Sequence, residues 1–275
     1  MPSHEVLNII SLGAGVQSTA MALMCAKGDL PYKIDGAVFS DTQAEPEAVY
    51  RHLDWLEEQL PFPVYRVTAG NLETETFRTR VNQKTGKPYG KNFIPSFGID
   101  EKGKLQMLPR KCTYDFKLIP IHRQLKVLAK PRRGEKEHLV NSLLGISFDE
   151  VIRMKPAILR WVKNVYPLID HRLTRTSCLD WMEKNNYPRP PRSACVFCPY
   201  HSNFEWDNLK KNAPQDFQRA VEFEKKLWKT AEARNVKTTE FLHADRIPLS
   251  EIQFSNKDQM ELDGFGNECE GHCGI

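Results

Sequence analysis

Residues 11–19 read SLGAGVQST and lie between two apolar runs, VLNII (6–10) and AMALM (20–24). The pattern predicts a buried strand, a glycine-containing turn and a helix that begins near Gln17. Glycine lets the backbone come close to a ligand, and a helix N-terminus favours an anion. The stretch therefore predicts a phosphate-binding turn, although its spacing matches neither common glycine-rich phosphate motif. The alternative is a turn that contains glycine for steric reasons alone.

Strands and helices alternate over most of the chain. Strands are predicted at 6–12, 34–42, 64–67, 138–147 and 165–169, and helices at 17–27, 45–60 and 176–186, the last capped by Thr176 or Ser177. Such alternation is typical of a parallel sheet covered on both faces. The predicted fold is α/β, with a doubly wound, mostly parallel, Rossmann-like sheet and a helical C-terminal extension.

The length of 275 residues suits one elaborated domain better than two independent ones. We expect a nucleotide-binding unit at 1–200, then a helical extension and cysteine-bearing tail at 201–275 within the same domain. Residues 204–235 are predicted to form one long helical region, and 70–110 a long mobile excursion. The sequence shows neither a membrane-spanning apolar run nor a signal-peptide pattern, so a cytoplasmic location without membrane contact is predicted.

Positive charge is concentrated in the middle of the chain. The net charge is +4, but residues 102–136 alone hold eleven Lys and Arg against two acids, Asp115 and Glu135. A block of this kind suits a polyphosphate or a nucleic acid. The alternative is a solvated surface without a partner.

Polar residues and glycine follow three of the predicted strands. The first strand leads into the turn at 13–18, the second ends at Asp41 and Thr42, and the fourth ends at Gly145, with Arg153 a few residues further on. Ligands bind at the carboxyl ends of the strands in an open parallel sheet. We therefore expect a ligand crevice there, although Asp41 could instead be a residue at a helix start.

Cysteines supply a second set of candidates. An odd count of seven favours metal binding or redox chemistry over a disulfide framework. Cys195 and Cys198 form a CxxC pair, which suits a metal, a cluster or a redox dithiol. With Cys112 and Cys178 they could complete a four-sulfur site for zinc or an iron–sulfur cluster. The alternative for Cys178 is a buried apolar position on a helix.

The chain closes with NECEGHCGI, residues 267–275. Cys269 and Cys273 lie beside glycines, and a thiolate on a terminal segment makes an effective nucleophile or resolving thiol. We predict that one of them is catalytic. The alternative is that both cysteines are incidental.

Taken in order, several motifs resemble the phosphoadenosine phosphosulfate (PAPS) reductase family, within the adenine nucleotide alpha hydrolase-like or ATP pyrophosphatase superfamily. They are SLGAGVQST, FSDTQAEPEAVY, RKCTYDFKLIP, the Gly145 strand end, YPLI, the CxxC pair and the final Glu-Cys. The resemblance covers about residues 6–200 and the tail. With the strand ends, it implies an adenine nucleotide (ATP or PAPS, with Mg²⁺ as an option) held by Ser11, Gly13, Ala14, Gly15, Gln17, Ser18, Asp41, Thr42, Lys117, Gly145 and Arg153.

The resemblance also bears on the cysteines. Family members of the adenylylsulfate-reductase type have a Cys-Cys pair and a CxxC about eighty residues later, and these four bind a [4Fe–4S] cluster. Here Cys112 lies 83 positions before Cys195, and Thr113 stands where the second cysteine would be. The resemblance therefore implies a [4Fe–4S] cluster with Cys178 as fourth ligand, or zinc as the alternative.

Gln17 separates the candidate functions. ATP-splitting members resemble SGGxDS, with Asp at this place, whereas some sulfonucleotide reductases have Gln. The favoured function is reduction or transfer of sulfur from an adenylyl-linked sulfonucleotide, with Cys269 or Cys273 as nucleophile and a thiol reductant as partner.

Two alternatives remain. One is an ATP pyrophosphatase that adenylates nucleic acid for sulfur insertion, as in DNA phosphorothioation or tRNA thiolation, with the nucleic acid bound at 102–136 and a cysteine desulfurase as sulfur donor. The other is a non-catalytic subunit of a larger complex that binds a nucleotide or a cluster. The sequence leaves open whether the protein forms a homo-oligomer.

Overall fold

The computed structural model describes residues 5–254. The elements of the first part are β1 Leu7–Leu12, α1 Val16–Lys27, β2 Gly36–Asp41, α2 Glu47–Gln59, β3 Val64–Thr68 and α3 Leu72–Phe77. Four short strands follow: β4 Arg80–Val81, β5 Pro88–Tyr89, β6 Phe97–Ile99 and β7 Leu105–Met107. A π-helical turn, Thr113–Leu118, then leads into α4 Ile119–Ala129.

The second part begins with β8 Val140–Leu144, a 3₁₀ turn Phe148–Arg153 and β9 Val162–Val165. The helices that follow are α5 Pro167–Asp170, α6 Arg175–Lys184, α7 Asn203–Asn212 and α8 Pro214–Lys229. The described chain finishes with β10 Thr239–Phe241 and a 3₁₀ turn, Leu249–Glu251. None of the described helices is long and apolar enough to cross a membrane.

Five strands form one sheet in the order β3-β2-β1-β8-β9, and every neighbouring pair is parallel. The chain steps outward from the central β1 to β3 and then returns to the other side of β1 with β8. This reversal is the topological switch point, where open α/β sheets bind ligands at the carboxyl ends of their strands. The predicted α/β fold with a parallel sheet is confirmed.

Helices cover both faces of the sheet because side chains alternate along each strand. Ile10 and Leu12 of β1 belong to the apolar core that includes α1, α2 and α6. Ile9 belongs to a second core with Ile121 and Leu125 of α4. Burial of apolar surface on both faces stabilises the sheet and sets its orientation between the helices.

The excursion predicted at 70–110 carries regular structure. It contains α3 and the strands β4 to β7, and β10 from the C-terminal part pairs antiparallel with β6. Phe93 and Ile94 are buried in a third core together with Phe197 and Trp206. These two apolar residues stand in a polar, glycine-rich stretch, which gives no periodic pattern. The sequence therefore did not predict that this segment packs on α7 and α8.

Proline explains two departures from the predicted elements. The fifth strand, β9, ends at Val165, and Pro167 opens the short helix α5 where a strand was predicted. The long helical region predicted at 204–235 is two helices because Pro214 disfavours the helical conformation at Ala213, whose φ is −140°.

Helix α6 begins earlier than predicted. Thr174, and not Thr176 or Ser177, occupies the N-cap. The Ser177 N–H donates a hydrogen bond of 3.1 Å to the Thr174 hydroxyl. The chain therefore enters α6 at Arg175, whose guanidinium donates a hydrogen bond to Gln17 at the start of α1.

Candidate functional site

The turn after β1 packs tightly against the start of α1. Its residues are buried, and the Gly13 N–H donates to the Ser18 hydroxyl at 3.3 Å. Ala14 has a φ of +58°, a left-handed conformation that is uncommon for a residue with a side chain. Gly15 caps α1 without a side-chain hydrogen bond, and the first turn of α1 holds no acidic residue. A helix start of this composition suits an anion.

The end of β8 touches this turn. A Cβ added at Gly145 would lie 2.7 Å from both the N and the Cα atom of Ser18, so only glycine fits there. Two residues on, Ser147 is fully buried, and its hydroxyl has no hydrogen-bond partner among the described residues. Buried hydroxyls are normally paired, so Ser147 marks a place for a ligand or a water molecule.

Gln17 is buried in a polar network that joins three elements. Its Oε1 accepts from Arg175 Nη1 at 3.0 Å, and its Nε2 donates to Glu150 Oε2 at 3.0 Å. Glu150 also forms an ion pair of 2.7 Å with Arg153. An Asp in place of Gln17 would bring a second carboxylate next to Glu150, and like charges repel at this distance. The network thus gives a physical reason for the amide.

Arg175 is a site residue that the sequence reading missed. Nothing in its local sequence, LTRTS, distinguishes it from other exposed arginines. Its guanidinium reaches Gln17 only because α6 packs on α1. Arg153, which the sequence did predict, reaches the same network through Glu150.

Asp41 lies at the carboxyl end of β2 and is held in place on its Oδ1 atom. This oxygen accepts from the Tyr50 hydroxyl at 2.9 Å and from the Gln43 N–H at 2.7 Å. Burial, and then the Asp41 carboxylate, raise the pKa of Tyr50 well above its ordinary value. Tyr50 therefore remains a hydrogen-bond donor at all ordinary pH values. Asp41 lies at the same edge of the sheet as the turn after β1, as predicted.

Three of the predicted cysteines come together. Cys112, Cys195 and Cys198 line one enclosed cavity of about 20 Å³, which has room for about one water molecule. Arg110 and Lys117 also line this cavity, and a cation beside a thiol favours the thiolate that binds metals. Lys117 is buried and pairs with the buried carboxylate of Glu45 at 3.5 Å.

The CxxC loop is tied to the end of β2 at two points. The Thr42 hydroxyl lies 3.3 Å from Cys195 Sγ, and the Val196 N–H donates to the Ala44 carbonyl at 2.8 Å. The loop is also closed on itself, since the Cys198 N–H donates to the Cys195 carbonyl at 2.9 Å. The thiol cavity is therefore adjacent to the strand end that carries Asp41 and Thr42.

His201 supports this loop from behind. Its Nε2 lies 3.1 Å from the Cys195 carbonyl oxygen. Burial lowers the pKa of His201 to about 3, so the ring is neutral and its Nε2–H donates to that carbonyl. The sequence spacing Cys-x-x-Cys-x-x-His could have drawn attention to it.

Cys178 lies elsewhere in the protein. It is fully buried on α6, in the apolar core that α6 shares with α1. Cys112 and Cys195 instead border the core around Phe197. This placement does not support the prediction that Cys178 completes a four-sulfur site, and it favours the alternative of a buried apolar residue. Sequence spacing gives the positions of the cysteines along the chain but does not reveal the core in which each one packs.

The three clustered thiols fit a thiolate-bound metal in their donor chemistry, because soft sulfur ligands suit zinc and iron–sulfur clusters. In their described positions, no three His, Cys, Asp or Glu side chains within 5–254 are arranged to hold a metal ion. A cavity of about 20 Å³ is of the size of a single ion, whereas a [4Fe–4S] cluster needs its walls to move apart. The three thiols therefore fit zinc or a cluster by their donor chemistry, and their described positions do not decide between the two.

The other predicted residues fall into two groups. Cys269 and Cys273 lie outside the described residues 5–254. The basic block is divided: Arg110 and Lys117 line the thiol cavity, whereas the cations of α4 and the loop after it are exposed, namely Arg123, Lys126, Lys130, Arg132, Arg133 and Lys136.

Fold and site together define an α/β protein with a glycine-containing turn at its topological switch point and a thiol-lined cavity beside the end of β2. No family model matches the chain. No curated protein matches it either. Several solved structures do match it. The chain is similar to phosphoadenylyl-sulfate (PAPS) reductase from Candida auris, in a phosphate complex, with 13% identity over 68% of this chain and 76% of that one, at a TM-score of 0.42.

A second similar structure is the U34-tRNA thiolase NcsA from Methanococcus maripaludis with its [4Fe-4S] cluster. The identity is 16%, the match covers 82% of this chain and 72% of that one, and the TM-score is 0.37. With both TM-scores below 0.5, the fold assignment stands on the strand order and the parallel pairing.

Proposed function

We propose that the protein binds an adenine nucleotide at the carboxyl ends of β1, β2 and β8 and uses it in sulfur chemistry. The favoured reaction is reduction or transfer of sulfur from an adenylyl-linked sulfonucleotide. The observation that carries the proposal is the 3.3 Å approach of the Thr42 hydroxyl to Cys195 Sγ. This contact joins the strand end proposed to bind nucleotide to the cavity that contains three thiols.

In this proposal the phosphates lie at the start of α1, where the helix dipole and backbone N–H groups favour negative charge. The Ser147 hydroxyl, which has no hydrogen-bond partner within residues 5–254, is a ready donor to the same ligand. Arg175, already beside Gln17, supplies positive charge near the phosphates. Each of these groups stabilises an anionic leaving group, which is what release of AMP or its 3′-phosphate requires.

The proposed chemistry has two steps. The thiolate of Cys269 or Cys273 attacks the sulfate sulfur, the bond from sulfur to the phosphate oxygen breaks, and AMP or its 3′-phosphate leaves with the electron pair. A thiol reductant then attacks the cysteine sulfur of the resulting S-sulfocysteine. Sulfite leaves with the electron pair, and the mixed disulfide is reduced by a second thiol.

Cys112, Cys195 and Cys198 are the residues that would hold a metal or cluster. When bound, such a group would hold these three thiolates together beside the end of β2. Lys117 lines the same cavity and carries a charge that is already in place.

Glu150 favours a second candidate, ATP-dependent sulfur insertion into nucleic acid. Its carboxylate lies 3.0 Å from the Gln17 amide. It is therefore close to the position at which the ATP-splitting proteins with an SGGxDS motif have an Asp. The exposed cations of α4 offer a surface for the nucleic acid. In this reaction a nucleic-acid oxygen attacks the α-phosphorus of ATP, pyrophosphate leaves, and sulfur from a donor such as a cysteine desulfurase displaces AMP.

A turnover assay tests the proposal. Anaerobically purified protein receives either PAPS or adenylylsulfate with a dithiol, or ATP with Mg²⁺. The favoured function predicts sulfite from a sulfonucleotide, abolished by the double substitution Cys269→Ser and Cys273→Ser and retained in Cys25→Ser. Pyrophosphate from ATP, without sulfite, would establish the second candidate. A nucleotide that binds without any turnover would leave the non-catalytic subunit as the function.

A further inference from the structure

Exposed apolar side chains are concentrated in one short segment that contacts the start of α1 through Glu150 and Gln17. Thirteen large apolar residues are exposed among the described residues, and five of them lie within 148–158: Phe148, Val151, Ile152, Met154 and Ile158. Ile152 is 87% exposed. A concentration of this kind on a folded surface marks an interaction site, whereas scattered single residues do not.

A positively charged cleft adjoins this segment. It has a volume of about 570 Å³, and its walls are formed by residues between Met154 and Tyr166. Among residues 5–254, three cations line it, Lys155, Arg160 and Lys163, and no acidic residue does. We call residues 148–166 the basic-apolar surface. Its charge and its apolar side chains call for a partner that is both acidic and apolar.

The basic-apolar surface is also a sheet edge. Among the described residues, β9 pairs with β8 alone, so its other side has no neighbouring strand. The segment in front of β9 is fixed to it, because Asn164 Nδ2 donates to the Lys155 carbonyl at 2.9 Å and the Lys155 N–H donates to the Tyr166 hydroxyl at 2.9 Å. An unpaired edge with an ordered flank is a template for an added peptide segment.

We propose that the basic-apolar surface is the docking site for residues 258–270 of this same chain. This segment reads DQMELDGFGNECE, and it holds five acidic residues and no Lys or Arg. Met260, Leu262 and Phe265 supply apolar side chains between those acids. The segment therefore offers carboxylates to pair with the cations of the cleft and apolar side chains to cover the exposed ones.

The length of chain beyond Phe254 sets which acids can reach the surface. The described chain ends at Phe254, which packs against Phe217. From there an extended chain spans about 30 Å to Asp263 and about 55 Å to Glu270, and a domain of this size is about 50 Å across. Because the segment is part of the chain, its effective concentration at the surface is of millimolar order. A weak interaction is therefore sufficient for docking.

The apolar side chains argue against a nucleic acid at this surface. Protein surfaces that bind single-stranded nucleic acid combine cations with aromatic rings on which bases stack. Four of the five exposed apolar residues in 148–158 are aliphatic or Met, and only Phe148 is aromatic. Such side chains are better covered by Met260, Leu262 and Phe265 than by bases and phosphates. The inference does not depend on the proposed enzymatic function.

Zero-length cross-linking on the full-length protein tests the inference. A carbodiimide joins a lysine amine to a carboxylate in direct contact, and an equal mixture of unlabelled and ¹⁵N-labelled protein separates links within a chain from links between chains. We expect Lys155 or Lys163 to be linked within the chain to a carboxylate of residues 258–270. High salt should reduce the yield, because it screens exposed charges.

Two surface variants leave both lysines in place. Arg160→Glu should reduce the yield at least fivefold through charge repulsion, and Ile152→Ser should reduce it severalfold through lost apolar contact. The matched control is Ile247→Ser, at another exposed apolar residue, which should leave the yield unchanged. Both Ile152 and Ile247 are exposed, so these variants should fold normally.

Three results would overturn the inference. The first is an absence of links between these lysines and residues 258–270. The second is links only between labelled and unlabelled chains, which would assign the surface to a second copy. The third is protection of Lys155 and Lys163 by a single-stranded oligonucleotide with no link to the segment, which would assign it to nucleic acid.

Discussion

Replacing Gly145 by alanine tests the close contact between β8 and the turn after β1. The added Cβ would lie 2.7 Å from the N and Cα atoms of Ser18, whereas carbon atoms in contact are about 3.5–4.0 Å apart. These two Ser18 atoms belong to the backbone, so they cannot rotate away as the end of a side chain could. The turn and the first residues of α1 must therefore shift by about 0.8 Å or more.

The shift has two consequences of different size. Overpacking costs about 1–3 kcal/mol of stability, which leaves a protein of ordinary stability folded. A displacement of about 1 Å in a catalytic site costs up to about 100-fold in reaction rate, and here it would move the N–H groups at the start of α1 away from a bound phosphate. We therefore expect Gly145→Ala to weaken binding of ATP or adenylylsulfate at least tenfold by isothermal titration calorimetry, while circular dichroism shows a folded protein.

Gly36→Ala is the matched control. Its Cβ would also be crowded, at 3.0 Å from the Tyr65 ring, but Gly36 lies at the start of β2, at the opposite end of the strand from Asp41. This variant should be destabilised and should keep its nucleotide affinity. If Gly145→Ala binds nucleotide as tightly as the wild type, the crevice does not lie at the turn after β1.

The remaining predictions concern the thiol cavity and the buried charges. Metal analysis after anaerobic purification should find that Cys195→Ser loses its bound zinc or iron whereas Cys178→Ser keeps it; equal loss in both would restore Cys178 as a ligand. Lys117→Met should lower the free energy of unfolding by about 3–5 kcal/mol, because it leaves the Glu45 carboxylate buried without its cation. The double variant with Glu45→Gln should recover part of this loss in urea unfolding, and no recovery would mean that the pair is not coupled.

Burial lowers the pKa of His52 to about 4, and an unfolded chain binds this proton near pH 6.5. The stability that neutral His52 contributes is therefore complete above pH 6.5 and is lost as the pH falls towards 4. His52→Gln should show a flatter decline of unfolding free energy between pH 6.5 and 5 than the wild type; identical slopes would contradict the assignment.

The sequence predicted the sheet because its signals are local. Buried strands are continuous apolar runs, and the polar residues that end them, such as Asp41 and Gly145, fall at one edge by topology alone. The cysteines show the limit of that reasoning. Cys112 and Cys195 are 83 positions apart and yet share a cavity, whereas Cys178, much nearer in sequence to Cys195, packs in another core.

Arg175 and Tyr50 escaped the sequence reading for a related reason. Each makes a contact that depends on how the elements pack. Arg175 reaches Gln17 from α6, and Tyr50 reaches Asp41 from α2. No local pattern marks such residues. The break at Pro214, in contrast, was readable from the sequence, because proline disfavours a helix at the residue before it.

The most direct test of the central claim is whether bound nucleotide protects the clustered thiols. Alkylation rates of individual cysteines are measured by mass spectrometry on anaerobic, metal-depleted protein, with and without saturating adenylylsulfate or ATP. If the crevice and the thiol cavity form one site, nucleotide should slow alkylation of Cys195 and Cys198 severalfold and leave Cys25 unchanged. A nucleotide that binds, by calorimetry, without altering the rates at Cys195 and Cys198 would contradict the account.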